Sequence, residues 1–160
     1  MTIKIGDKIP SAKLMQATAD GPLEVSTDDL FAGKTVVLFG VPGAFTPTCS
    51  AKHLPGFVTH AAELKAKGVD TVACISVNDV FVMGAWRKDQ SIGEEVVMLA
   101  DGSAAFTKAM GLEFDLTARG LGVRSQRFAL VAKNGVVTHV AVEAAGAFEV
   151  SKAEAVLAAL

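Results

Sequence analysis

The sequence predicts an α/β protein with a mixed central sheet flanked by helices and an N-terminal β extension. Two observations carry this. Near-continuous apolar runs alternate with helical patterns from residue 35 to residue 110, and a β-hairpin signal and a closing helix follow. At 160 residues the chain is long enough for one ordinary domain, residues 1–160, that buries roughly two-thirds of its unfolded surface.

The early pieces "KIGDKIP" and "PLEV" read as the β extension. "TVVLFGV" (Thr35–Val41) is an unbroken apolar run, as expected of a central strand covered on both faces. "DTVACISV" (Asp70–Val77) and "EVVMLA" (Glu95–Ala100) read the same way. Between them, Ser50 to Lys67 carries apolar residues at helical spacing and stops at Gly68. Asp79 to Lys88 and Ser103 to Met110 form two further helices, the second ending at Gly111. "RFALVAKNGVVTHVAVE" (Arg127–Glu143) is two β-rich runs joined by Asn134-Gly135, the strongest short hairpin signal. The last helix opens with Ser151 and has Glu154 three residues on, a capping-box pattern. A thioredoxin-like fold fits this order.

Composition narrows the function. Hydrophobic residues make up 51% of the chain, with nine Phe, one Trp and no Tyr, and the net charge is −2. No basic stripe and no long apolar window occurs, so neither nucleic acid nor a membrane is expected as a partner. The N-terminus shows no signal-peptide pattern, and two cysteines without one point to a reducing compartment; cytoplasmic location is the default expectation.

Cys49 stands out because it follows a strand and opens a helix. Pro47 suits a helix start, Thr46 suits an N-cap, and Cys49 would then sit in the first turn, where unpaired N–H groups and the helix dipole favour a thiolate. The residue three before Cys49 is Thr46, so dithiol exchange of the Cys-x-x-Cys kind is not available. Pro42 and Phe45 are expected to shield the sulfur from water. Position alone leaves both a structural cysteine and a reactive one open.

"PGAFTPTCS" resembles the peroxiredoxin signature Pro-x-x-x-Thr-x-x-Cys, matched by Pro42, Thr46 and Cys49. With "GVDTVACISVNDVFVMGAW" and "GLGVRSQRFALV", the similarity extends over nearly the whole chain and is to the type II group, which includes the atypical two-cysteine (type V) enzymes. The resemblance implies a thioredoxin-like fold and a thiol peroxidase without metal or organic cofactor. In it Cys49 attacks hydrogen peroxide or an alkyl hydroperoxide and becomes a sulfenic acid. It assigns Pro42, Thr46 and an arginine to the site, and "RFALV" puts that arginine at Arg127, with Arg124 as the competitor. It also suggests a homodimer, and glutathione with glutaredoxin, or thioredoxin, as reductant. A monothiol disulfide reductase and a peroxide sensor are the competing readings.

Cys74 lies mid-strand and reads mainly as structural, with a resolving thiol as the alternative. His53, four residues after Cys49, reads as a helix-surface or packing residue that tunes the site. His60 and His139 have no partners at metal-ligand spacing. Met83 and Trp86 read as core, and Phe45, Phe81 and Phe128 as an apolar collar or a dimer contact.

The two arginines separate by mutation. Arg127→Ala should lower the rate of peroxide reduction by about a hundredfold, the usual effect of removing one donor to developing charge. Arg124→Ala should cost far less, and equal mild losses in a steady-state peroxidase assay would overturn the choice.

Overall fold

The computed structural model describes all residues, Met1–Leu160. Seven strands form one sheet in the order β2-β1-β5-β4-β3-β8-β9. β3 (Thr35–Val41), β4 (Thr71–Ser76) and β5 (Val97–Ala100) are parallel and central, as their unbroken apolar runs require. The hairpin β1 (Lys13–Thr18) and β2 (Gly21–Ser26) extends the sheet beyond β5. β8 (Phe128–Lys133) runs antiparallel beside β3, and β9 (Val136–Val142) closes that edge. The β8–β9 turn has Asn134 and Gly135 at φ 48° and 77°, the left-handed pair that a tight hairpin turn demands. A separate hairpin, β6 (Glu113–Leu116) with β7 (Gly122–Ser125), lies outside this sheet and adds to the expected elements.

Side chains alternate along β3, so the sheet has two cores. Val37, Phe39 and Val41 join α2 (Leu54–Ala66), α3 (Val80–Asp89) and α5 (Ala153–Ala159) on one face. Val36 and Leu38 join Phe31 of α1 (Thr27–Phe31) and Phe106 of α4 (Ala105–Ala109) on the other. Both cysteines belong to the first face. Asp79 caps α3 by accepting from the Val82 N–H.

Two expectations fail locally. Ser151 does not cap α5, because its hydroxyl donates to Glu143 instead, and the helix starts from Lys152 without a side-chain cap. The segment from Pro47 is helical, but Cys49–His53 is a π-helical turn in which the Leu54 N–H donates to the Cys49 carbonyl. Pro55 supplies the reason: it has no N–H to give the Ala51 carbonyl, and its ring crowds that carbonyl in α geometry.

β3 and β8 approach closely at Gly40, which pairs with Phe128. A Cβ at Gly40 would lie 2.0 Å from the Phe128 ring, so only glycine fits. Gly40→Ala should therefore destabilise the fold by about 1–3 kcal/mol in chemical denaturation. Adding Phe128→Leu should recover part of that loss, as expected for residues in contact.

Candidate active site

The carboxyl end of β3 leads into the loop that carries Pro42, Thr46 and Cys49. Because β8 is antiparallel to β3, with Phe128 opposite Gly40, its first residues reach the same end of the sheet. Arg127, one residue before β8, thereby meets the helix start. Its Nη2 donates to Cys49 Sγ at 3.2 Å. Its Nη1 donates to His53 Nδ1 at 2.9 Å, and His53 Nε2–H donates to the Ser151 carbonyl at 3.0 Å. These two partners fix a neutral imidazole with its proton on Nε2. Phe148 meets the His53 ring edge-on, centroids 5.1 Å apart, and lies under the guanidinium at 5.9 Å.

The loop before the helix is pinned from both sides. The Ala44 N–H donates to Asn78 Oδ1 (3.0 Å), and Arg124 Nη1 donates to the Pro42 carbonyl (3.3 Å). Arg124 thus supports the loop backbone and makes no bond to sulfur. The Ser50 N–H donates to the Thr46 carbonyl, which makes Thr46 the first residue of the helix start. The Thr46 hydroxyl donates to the Gly43 carbonyl at 2.7 Å, so its lone pairs are left to accept. Trp86 Nε1 donates to Ser50 Oγ (3.0 Å), tying α3 to the residue after Cys49.

Cys49 is fully buried. A cavity of about 160 Å³ is walled by Pro42, Thr48, Gln126, Arg127, Glu143 and Ala145, among others, and reaches the site through Arg127 and Thr48 while Cys49 itself stays outside its lining. Phe45 is 50% exposed, with its backbone held in the left-handed region at φ 64°. Phe81 is 74% exposed, while Phe128 is buried in the opposite core, so the three do not form one collar. Cys74, paired with Phe39 across β3 and β4, is buried on the same face as Cys49. Nowhere do three or more His, Cys, Asp or Glu side chains converge as a metal site would need.

Known proteins share this arrangement's fold and sequence. The Redoxin family model matches residues 4–157. Peroxiredoxin-2E, chloroplastic, of Arabidopsis thaliana is 52% identical over 99% of this chain and 70% of its own length. Peroxiredoxin-2C of Oryza sativa subsp. japonica is 52% identical over 99% of this chain and 98% of its own. The crystal structure of reduced Prx3 from Vibrio vulnificus in complex with hydrogen peroxide superposes with a TM-score of 0.93 at 56% identity, covering 99% of both chains. This chain belongs to the type II peroxiredoxins. It is a thiol peroxidase, an antioxidant oxidoreductase of thioredoxin-like fold.

In this peroxiredoxin the structure corrects the reading of His53. It is not on the helix surface: it packs, fully buried, against Phe39, Phe57 and Phe148, the other expectation, and is also bonded to Arg127. The signal was present in its position four residues after Cys49. Glu143, Ser151 and Phe148 gave none, because a loop closing from the far end of β9 brings them in. Burial, then the Arg127 charge, push the His53 pKa down to about 3, against the pull of its bond to Ser151. Burial would raise the Glu143 carboxyl, but bonds from the Ser151 hydroxyl and N–H and from the Glu149 N–H hold it below its ordinary range. Burial, and then the charge on Cys49, push the Cys74 thiol well up, against a smaller pull from Arg127.

Acid stability reads out the buried imidazole. The unfolded chain takes up a proton at His53 near pH 6.5, whereas the folded chain refuses it until about pH 3. Stability therefore falls as pH drops through this window, by at most about 1.4 kcal/mol per pH unit. The urea midpoint of His53→Gln should change less than the parent's between pH 6.5 and pH 5. Parallel curves would contradict the neutral buried ring.

Proposed function

We propose that Cys49 is the peroxidatic nucleophile, with Arg127, Thr46 and Pro42 completing the catalytic site. The observation that carries this reading is the Arg127 Nη2–H donated to Cys49 Sγ at 3.2 Å. A guanidinium N–H there is a charge-assisted donor aimed at the sulfur that acts as nucleophile. The sulfur attacks one oxygen of the peroxide; an S–O bond forms as the O–O bond breaks. Sulfur is oxidised to sulfenic acid, and the other oxygen leaves with the electron pair, taking a proton to become water or an alcohol. Arg127 and the Cys49 N–H, a donor that the helix start leaves without an intrahelical acceptor, stabilise the charge moving across the oxygens. Thr46 Oγ1, its own proton committed to Gly43, accepts from the peroxide O–H. Pro42 stands with Arg127 in the cavity wall, on the approach to the sulfur.

The cavity exceeds many times the roughly 15 Å³ that one water needs, and Ala144, Ala145 and Ala147 give it methyl walls. That supports hydrogen peroxide and short alkyl hydroperoxides as substrates. The raised Cys74 thiol is a poor attacker, since exchange and condensation proceed through thiolate. This supports an external reductant, glutathione with glutaredoxin or thioredoxin, over resolution by Cys74. The exposed Phe45 and Phe81 supply apolar surface for a homodimer.

Intact mass after one equivalent of hydrogen peroxide, with no other thiol present, tests the sulfur chemistry. A gain of about sixteen mass units on the parent and on Cys74→Ser is expected, and none on Cys49→Ser. A loss of about two units on the parent would show a Cys49–Cys74 disulfide and overturn external resolution.

A further inference from the structure

We propose that Glu143 is a positioning residue for peroxide reduction, holding Arg127 against the Cys49 sulfur by two routes. The proposal rests on the reading that Arg127 acts at Cys49. The first route is main-chain: the Glu143 N–H donates to the Arg127 carbonyl at 2.9 Å and fixes where the arginine leaves the sheet. The second runs through side chains. One carboxylate oxygen of Glu143 accepts from the Glu149 N–H (2.7 Å), the Ser151 N–H (2.9 Å) and the Ser151 hydroxyl (2.6 Å). These bonds close the loop 144–150 and aim the Ser151 carbonyl at His53 Nε2–H. The imidazole, so oriented, presents Nδ1 to Arg127 Nη1, and the planar fork then turns Nη2 to the sulfur. The closed loop also carries Phe148, which packs on both the imidazole and the guanidinium.

Three donors on one buried carboxylate oxygen are a strong clasp, and they lose their acceptor together if it is removed. His53 would then be free to turn, and Arg127 would lose the acceptor that sets its plane. Glu143 touches neither sulfur nor peroxide in this scheme. It acts through the loop, the serine carbonyl and the imidazole, as supporting shells do for groups that must sit within a fraction of an ångström.

The test is a double-mutant cycle on the rate constant for oxidation of Cys49 by hydrogen peroxide, read by quenched mass spectrometry. Glu143→Ala should lower the rate about tenfold in the parent and less than about twofold in Arg127→Ala, where no guanidinium remains to position. Glu143→Gln, whose amide oxygen can accept the same three donors, should retain most of the rate. Thermal unfolding and Trp86 fluorescence check the fold, and Glu143→Asp takes the place of the alanine variant in the cycle if that variant does not fold. Equal losses in both backgrounds would mean general loosening and overturn the proposal, as would a full rate in Glu143→Ala. A full rate in Arg127→Ala would place the failure in the reading of Arg127 itself, and the positioning role would fall with it.

Discussion

One guanidinium, held between a sulfur and an imidazole, organises this molecule. A half-buried arginine still needs acceptors for its N–H groups, and here the sulfur takes one and a neutral ring nitrogen takes another. The ring can be that acceptor only because burial and the arginine itself keep it unprotonated. Sheet topology supplies the meeting point. β8 runs against β3, so a residue just before β8 lands where β3 ends and the helix begins. Parallel pairing at this position would have put the start of β8 at the opposite end of the sheet.

The same arrangement separates two thiols that share a core. Cys49 and Cys74 are both buried on the α2 face. Cys49 has a charged donor within hydrogen-bond reach and stands at a helix start. Cys74 lies inside a parallel ladder between Ala73 and Ile75, and its thiol is pushed up by burial. Burial is therefore common to both sulfurs, and what distinguishes them is the hydrogen bond from Arg127, which only Cys49 receives.

Much of the frame was legible because its signals are local. The apolar run Thr35–Val41 is a strand over those residues, and Asn134-Gly135 is the β8–β9 turn. The Pro42–Thr46–Cys49 segment follows β3 as its sequence position indicates, and Arg127, read from the start of the β8 motif, lies one residue before that strand. What stayed hidden depends on distant partners. Ser151 has a good capping residue's chemistry, but Glu143 competes for its hydroxyl and wins. Phe128 looked available to line the site, yet register turns it to the other face, over Gly40. Nor did the hairpin β6–β7 stand out, because its alternation in Glu113–Leu116 lasts only four residues and its partner Gly122–Ser125 has none.

The π-helical turn at Cys49–His53 has a geometric consequence. A π turn holds one residue more than the α turn it replaces, so it works as a one-residue insertion inside a continuous helix. Each residue of an α-helix advances about 100° around the axis. If this turn reverted to α bonding, the surplus residue would pass into the preceding loop, and Cys49 would swing by about that angle relative to α2. The sulfur would then point away from the guanidinium. The compass bearing of the Cys49 sulfur is thus set by a count of residues per turn, and a proline six positions downstream keeps the count.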